Sequence, residues 1–178
     1  LVGGGMAFTF MKAKGQGIGA SKCEEDKLDE ARRLIARAKE KKVDLLLPPD
    51  VVAAEEFKEA AQKKTVAAGD VPEGWMGLDI GPEAVKLFSE KIAECGQIVW
   101  NGPMGVFEMA PFAQGTLEVA KAIAKADCVS IVGGGDSAAA VRQMGLSESF
   151  SHISTGGGAS LEMLEGKKLP GVEALTAK

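Results

Sequence analysis

The chain has 178 residues, of which 46% are hydrophobic and 26% are charged, and its formal net charge is −4 at pH 7. This composition is typical of a globular domain that is large enough to bury a sizeable core. The acidic balance and the lack of a basic stripe argue against nucleic-acid binding, and no apolar stretch approaches the about 20 residues that a membrane helix needs.

Helical and extended patterns alternate along the chain. Apolar residues at helical spacing predict helices over residues 6–14, 25–42, 83–95, 116–125, 137–144 and 159–164, with Gly145 and Gly166 closing the last two. Short apolar runs that end in turn residues predict strands over residues 1–2, 44–47, 51–54, 97–100, 128–132 and 151–154. The polar stretch 57–71 is expected to hold strands and turns, and residues 72–74 are expected to form a turn.

This alternation predicts an α/β fold. Several of the strands are continuous apolar runs, which are typical of a parallel sheet covered by helices on both faces. We therefore expect a three-layer, doubly wound, mainly parallel sheet of the Rossmann-like kind. Composition does not change along the chain, so residues 1–178 are expected to form a single domain.

Three consecutive glycines occur three times, at residues 3–5, 133–135 and 156–158. Each triplet follows a predicted strand and precedes a predicted helix, and ligands of open α/β sheets bind at that edge. A helix N-terminus offers free N–H groups and a partial positive charge, which suit a phosphate group. One triplet alone is equally compatible with tight strand-to-helix packing, whereas the three together favour phosphate binding.

The residues alone leave the identity of the phosphate ligand open. Residues 133–138 satisfy the pattern G-x-G-x-x-A of dinucleotide folds, which also expects an acidic residue about 20 positions further on. The next predicted strand, residues 151–154, supplies no acidic residue, and the chain has no Walker A loop. The triplets therefore match neither of the common nucleotide motifs.

Five longer stretches are far more specific, and in their order they resemble the C-terminal half of the phosphoglycerate kinase family: LVGGGMAFTFMKA, GWMGLDIGP, VWNGPMGVFE, SIVGGGDS and SHISTGGGASLEMLEGKKLPGVEAL. The resemblance extends over essentially the whole chain. It implies one lobe of a two-lobe kinase that transfers a phosphoryl group reversibly between 1,3-bisphosphoglycerate and ADP in glycolysis. The C-terminal lobe of this family binds Mg-ADP or Mg-ATP, and the N-terminal lobe binds the 3-phosphoglycerate side.

The same resemblance implies roles for individual residues. It implies an adenine pocket formed by Gly4, Gly5, Gly77, Leu78 and Val106. It implies contacts with the ribose and phosphates from Asn101, Gly102, Pro103 and Glu108. It implies phosphate contacts from Gly134, Gly135 and Ser137, a Mg²⁺ ligand in Asp136, and catalytic backbone N–H groups at Gly135 and Gly158.

The chain departs from the family pattern in two respects. A strand with a Gly-Ala-Lys motif normally lies upstream of the first triplet, and neither this strand nor the N-terminal lobe is present in the 178 residues. We therefore expect a fragment or a cleaved chain that is inactive alone and would meet 3-phosphoglycerate or 1,3-bisphosphoglycerate only through the missing lobe. In addition, Lys22 stands where many members have an apolar residue near the base.

Further expectations concern partners and location. The full-length protein is expected to be a monomer that binds neither nucleic acid nor membrane. Cys23, Cys95 and Cys128 form no CxxC pair, which favours a reducing compartment, so a cytoplasmic location is expected and an organellar one stays open. The alternative hypotheses are a non-catalytic nucleotide-binding or structural module and a dinucleotide-dependent oxidoreductase.

Overall fold

The computed structural model of the chain describes residues 1–154 and 156–175. The α-helices are α1 (Gly4–Ala13), α2 (Leu28–Lys41), α3 (Pro82–Ala93), α4 (Gln114–Lys125), α5 (Gly135–Gln143), α6 (Gly157–Leu164) and α7 (Pro170–Glu173). The strands are β1 (Asp50–Ala54), β2 (Lys63–Ala67), β3 (Met76–Ile80), β4 (Gln97–Asn101), β5 (Val129–Gly133) and β6 (His152–Ser154). Short 3₁₀ turns occupy Glu25–Lys27, Ala110–Phe112 and Ser147–Ser149.

Within this part of the chain the strands form two three-stranded sheets. The first is antiparallel with the order β2-β1-β3, and the second is parallel with the order β4-β5-β6. In the parallel sheet, Gln97 lies opposite Val129 and Asn101 lies opposite Gly133. The carboxyl ends of β4 and β5 therefore meet at one edge, which is where the second glycine triplet begins.

The α/β class and the parallel sheet agree with the prediction from sequence, and the antiparallel sheet corrects the expectation that the strands would be mainly parallel. The physical reason is the connection between β1 and β2, which runs only from residue 55 to residue 62. A parallel neighbour needs a crossover of a dozen or more residues, whereas antiparallel strands can be joined by a short loop.

Individual elements also differ from their predictions. Residues 1–2 and 44–47 form no regular strand, although the Val2 N–H donates to the Leu46 carbonyl oxygen at 2.9 Å. Strand β3 was not predicted, because Gly77 and Asp79 interrupt its apolar pattern and are both depleted in strands. The predicted helices are all present, and each of their bounds lies within three residues of its prediction.

The main core lies between the parallel sheet and helices α3 and α4. Helix α3 places Ala84, Phe88 and Ile92 on one face at four-residue intervals, and all three are buried. They pack with Val119 of α4 and Val132 of β5. Burying a large apolar side chain stabilises the fold by about 1.5–3 kcal/mol, so this face fixes α3 and α4 against the sheet.

A second core cluster holds α1 against the antiparallel sheet. Ala7, Phe8 and Met11 of α1 are buried against Val51 and Ala53 of β1. The N-terminus of α1, with its glycines, is thereby held beside the first sheet. No helix within the described residues combines the length and the apolar character needed to cross a membrane.

Candidate functional site

A cleft of about 1180 Å³ opens where the N-terminus of α1, strand β3 and the segment after β4 meet. Nine of the residues that the sequence nominated for nucleotide binding line this cleft: Gly4, Gly5, Gly77, Leu78, Asn101, Gly102, Pro103, Val106 and Glu108. Its lining continues along β4 over the apolar side chains of Phe88 and Ile92. The structure therefore brings together residues that are as much as 104 positions apart in the chain, from Gly4 to Glu108.

The segment 101–108, called here the 101–108 loop, is held in place by two buried hydroxyl groups, one on α4 and one on α5. Thr116 Oγ1, in the first turn of α4, accepts hydrogen bonds from the N–H groups of Met104 at 3.1 Å and Gly105 at 3.2 Å. Ser137 Oγ, in the first turn of α5, accepts from the Gly102 N–H at 2.6 Å. Thr116 is 0% and Ser137 1% exposed, so water does not compete for these bonds.

The first glycine triplet lies directly against this loop. The Gly4 N–H donates to the Met104 carbonyl oxygen at 3.1 Å, and a Cβ added to Gly4 would lie 2.6 Å from the Pro103 carbonyl oxygen. Gly4 also has a φ of +58°, a backbone conformation that residues with a side chain rarely adopt. A Cβ on Gly5 would lie 3.4 Å from Cδ of Lys22, which lines the cleft beside it. The close approach of α1 to the loop therefore depends on glycine.

Strand β3 supplies the wall next to α1. A Cβ on Gly77 would overlap the ring of Phe8, so glycine is needed here for packing of α1 on the strand. Leu78 is only 7% exposed, and its carbonyl oxygen accepts from the Val106 N–H at 2.8 Å. This bond joins the 101–108 loop to the antiparallel sheet and holds Val106 in the lining of the cleft.

The second and third glycine triplets meet on the other side of the loop, around Asn101. A Cβ on either Gly133 or Gly134 would lie 3.1 Å from Oδ1 of Asn101. A Cβ on Gly157 would lie 2.7 Å from the Gly134 Cα and 3.2 Å from the same Asn101 oxygen. Helices α5 and α6 thus begin side by side, and all three triplets contact the segment from Asn101 to Met104.

The other residues that the sequence nominated for phosphate, metal or catalytic contacts lie at the N-termini of α5 and α6. They do not line the cleft. Gly135 and Asp136 are exposed in the first turn of α5, and Gly158 is exposed in the first turn of α6. A Cβ on Gly135 or Gly158 would meet no atom within 4 Å, so the space beside both backbones is open. Ser137, which was nominated for a phosphate contact, is buried in the first turn of α5, and its hydroxyl oxygen accepts the hydrogen bond from Gly102.

The described part of the chain contains no cluster of three or more His, Cys, Asp or Glu side chains that could hold a metal ion alone. Mg²⁺ is commonly bound by one or two carboxylates, with substrate phosphates and water as its other ligands. The exposed carboxylate of Asp136 lies in the first turn of α5, directly after Gly135, and the space beside the Gly135 backbone is open. These residues fit a magnesium ion that arrives with a phosphate ligand.

Two residues that organise the site were missed by the sequence reasoning. Thr116 anchors the loop, as described above, and Asp79 of β3 lies buried beneath it with 4% of its surface exposed. Burial raises the pKa of Asp79 to about 7, against the opposing effect of hydrogen bonds from the Gly115 and Ile80 N–H groups and of the Lys63 charge. No local pattern marks either residue, since Thr116 contacts the loop and Asp79 contacts α4 across more than ten positions of sequence.

Comparison with known proteins adds an independent line of information. A family model for phosphoglycerate kinase matches residues 1–167. The phosphoglycerate kinase of Trichodesmium erythraeum (strain IMS101) is 59% identical over 176 residues, which cover 98% of this chain and 44% of that protein. The phosphoglycerate kinase of Clostridium tetani (strain Massachusetts / E88) is 57% identical over 178 residues, which cover 100% of this chain and 44% of that protein.

Solved structures give the same result. The structure of phosphoglycerate kinase from Coxiella burnetii matches with a TM-score of 0.92 and 46% identity, over 97% of this chain and 44% of that one. The crystal structure of phosphoglycerate kinase from Pyrococcus horikoshii OT3 matches with a TM-score of 0.82 and 32% identity, over 97% of this chain and 44% of that one. The chain spans less than half the length of these relatives.

Proposed function

The chain belongs to the phosphoglycerate kinase family, and we propose that it forms the part of such an enzyme that binds Mg-ADP or Mg-ATP. The observation that carries this proposal is the convergence of three glycine triplets on the 101–108 loop, with an exposed carboxylate beside them. One ligand with a flat base at one end and a charged phosphate tail at the other fits this arrangement. An adenine nucleotide has this form.

In this proposal the base lies in the cleft beside the N-terminus of α1. Gly4 and Gly5 form one wall of its pocket, and the apolar side chain of Val106 contacts its face. Gly77 and Leu78 form the wall behind it. The exposed carboxylate of Glu108 accepts hydrogen bonds from the ribose hydroxyls, because a carboxylate has acceptor sites for both donors.

The phosphates then lie at the N-termini of α5 and α6. The backbone N–H groups of Gly134 and Gly135 and the dipole of α5 favour negative charge at this point. Asn101, Gly102 and Pro103 line the path between the ribose and the phosphates. Asp136 would hold Mg²⁺, whose charge neutralises the phosphate oxygens when it is bound.

The reaction proposed for the whole protein is the reversible transfer of a phosphoryl group between 1,3-bisphosphoglycerate and ADP. This chain contributes backbone N–H groups of Gly135 and Gly158, which orient the transferring group and stabilise charge on its oxygens. Such transfer depends on positioning and electrostatics more than on proton transfer. The substrate 1,3-bisphosphoglycerate or 3-phosphoglycerate would bind to residues outside this chain. The expected monomeric state and cytoplasmic location stay predictions.

Isothermal calorimetry of the chain with Mg-ADP tests the proposal. We expect saturable binding of one nucleotide per chain, and adenosine without phosphates should bind more weakly. A folded chain with a cooperative thermal transition and no binding heat would contradict the proposal and favour the structural module. Tighter binding of NADH than of ADP, measured by NADH fluorescence, would favour the dinucleotide enzyme instead.

A further inference from the structure

Asp79 is a buried carboxylate that the proposed function does not use directly. It lies on β3, next to Leu78 of the proposed adenine pocket, and is 4% exposed. Its Oδ2 accepts a hydrogen bond from the Gly115 N–H at 2.7 Å, and its Oδ1 accepts from the Ile80 N–H at 2.9 Å. Because Gly115 lies in the first turn of α4, the carboxylate also satisfies a free donor at that helix N-terminus.

The carboxylate is enclosed by two glycines on different elements. A Cβ on Gly105 of the 101–108 loop, or on Gly115 of α4, would overlap Oδ1 of Asp79. The backbone of the loop therefore rests on this oxygen from one side, and the backbone of α4 rests on it from the other. The carboxylate is the spacer between them.

The residues on either side of this contact bond to the same loop. Leu78, which precedes Asp79, accepts from the Val106 N–H, and Thr116, which follows Gly115, accepts from the Gly105 N–H. Asp79 thus stands at the centre of a set of contacts that hold the loop to β3 and to α4 at once.

We propose that Asp79 is a positioning residue that fixes the 101–108 loop against the N-terminus of α4 and thereby sets the affinity of the chain for adenine nucleotides. This inference rests on the nucleotide-binding function proposed above. Asp79 itself touches no ligand in this scheme. Its buried carboxylate carries a desolvation cost that a hydrophobic residue would not have, and in return it accepts bonds from the backbone N–H groups of Ile80, which follows it in β3, and of Gly115 in α4.

The chain provides a matched control in Asp50. This residue is 5% exposed on β1, and its carboxylate accepts from the N–H groups of Ala84 at 2.8 Å and Glu83 at 3.2 Å at the start of α3. A Cβ on Gly81 would overlap it, as Gly105 would overlap Asp79. Asp50 therefore performs the same helix-capping role, and it too lies against a glycine, at a helix that carries none of the nominated nucleotide residues.

The test compares Asp79→Asn and Asp50→Asn in the full chain, at a temperature where circular dichroism shows both to be folded. An asparagine can accept only through its carbonyl oxygen, and its amide group would face an N–H donor. We expect Asp79→Asn to weaken Mg-ADP binding by about tenfold or more, measured by calorimetry, and Asp50→Asn to leave the dissociation constant unchanged. Equal affinity of Asp79→Asn and wild type would overturn the inference, and so would an equal loss in both variants.

Amide hydrogen exchange without nucleotide tests the same inference independently of binding. We expect Asp79→Asn to speed exchange at the amides of Met104, Gly105 and Val106, and Asp50→Asn to leave these three rates at the wild-type value. If wild type binds no nucleotide, the proposed function fails, and the exchange rates still decide the role of Asp79. If these loop amides exchange as slowly in Asp79→Asn as in wild type, the inference about Asp79 is overturned.

Thr116 keeps the inference testable if Asp79→Asn does not fold. Thr116→Val removes the acceptor for Met104 and Gly105, and Thr116→Ser restores it. We expect faster exchange at the loop amides in the valine variant and wild-type exchange in the serine variant. Unchanged exchange in Thr116→Val would show that the loop is not held from α4, which contradicts the inference.

Discussion

Gly134 occupies a backbone conformation that residues with a side chain rarely adopt. Its φ is +91° and its ψ is 149°, a region that is almost exclusive to glycine, and forcing another residue there costs about 1–3 kcal/mol. A Cβ would also press on Oδ1 of Asn101 at 3.1 Å. The backbone N–H groups of the second triplet thus depend on Gly134 for their direction.

Gly134→Ala is therefore predicted to weaken Mg-ADP binding by about tenfold, which corresponds to about 1.4 kcal/mol, as measured by calorimetry. Gly145→Ala is the matched control, because Gly145 also has positive φ, +69°, but lies after α5 with no atom within 4 Å of an added Cβ. Both variants should lose thermal stability. Only the first should lose affinity, and an equal loss of affinity in both would disprove the role of the second triplet.

Asp136 is predicted to act through the metal ion. Asp136→Asn should weaken nucleotide binding in the presence of Mg²⁺, because an amide oxygen is a weaker ligand for this hard cation than a carboxylate. In EDTA the variant and wild type should bind ADP with similar affinity. Asp127→Asn, at another exposed carboxylate, serves as the control and should change neither value. Equal weakening with and without Mg²⁺ would contradict the assignment.

At the residue scale, the sequence was informative where a residue belongs to a local motif. The triplets, Asn101 and Asp136 stand in motifs specific enough to nominate them, and the structure brings them to one region. Thr116 and Asp79 escaped notice because the contacts that join them to the loop and to α4 are distant in sequence: Thr116 bonds Gly105, 11 positions away, and Asp79 bonds Gly115, 36 positions away. A buried hydroxyl or carboxylate that anchors a distant loop leaves no periodic or spacing signal.

At the scale of elements, the junction of β3 and α4 is predicted to make stability depend on pH. Burial raises the pKa of Asp79 to about 7 from its ordinary 3.8, against the opposing effects of the Gly115 and Ile80 N–H groups and of the Lys63 charge. The folded chain therefore holds this proton more tightly than the unfolded chain does. The stabilisation is complete below pH about 4 and is lost as the pH rises through about 7, with a total of about 4 kcal/mol.

Urea unfolding at pH 5, 6, 7 and 8 measures this contribution. The unfolding free energy of wild type should fall relative to that of Asp79→Asn across this range, because asparagine does not titrate. Asp50→Asn should follow the same pH trend as wild type. Parallel curves for wild type and Asp79→Asn would show that Asp79 does not titrate in this range.

Elements with a strong period were predictable, and those shaped by distant contacts were not. Helices α3 and α4 carry regular apolar faces and were predicted almost to their ends. Residues 44–47 read as a strand from their apolar run, yet a regular strand also needs neighbours that pair along its length, and one bond from Val2 does not suffice. Strand β3 showed the reverse case, since pairing with β1 overrode the poor propensities of Gly77 and Asp79.

At the scale of the whole molecule, the chain is predicted to bind nucleotide without turning over substrate. Orienting two substrates against each other supplies about 7–11 kcal/mol of such catalysis, and only one of the proposed substrate sites lies in this chain. A coupled assay with ADP and 1,3-bisphosphoglycerate should show ATP formation no faster than the rate without protein. An ATP-formation rate within about a hundredfold of that of a full-length relative would disprove the prediction that the reaction needs a second substrate site outside this chain.

The overall architecture was predictable as a class and not in its topology. Alternating helices and apolar strands indicated α/β, and β4, β5 and β6 form the expected parallel sheet. The antiparallel arrangement of β1, β2 and β3 was hidden because the polar segment 57–71 contains only one regular strand, β2, whose residues are mostly exposed. An exposed edge strand carries little hydrophobic signal from which its direction could be read.

The anchoring of the 101–108 loop by inward-facing hydroxyls has a consequence for saturation mutagenesis. Thr116 and Ser137 tether the segment on which every glycine triplet converges, so replacing either is expected to be as harmful as replacing a residue at the cleft surface. A scan of all substitutions would therefore find the buried Thr116 and Ser137 as sensitive as residues that line the cleft. Sensitivity to substitution at a position would not by itself show that its side chain contacts a ligand.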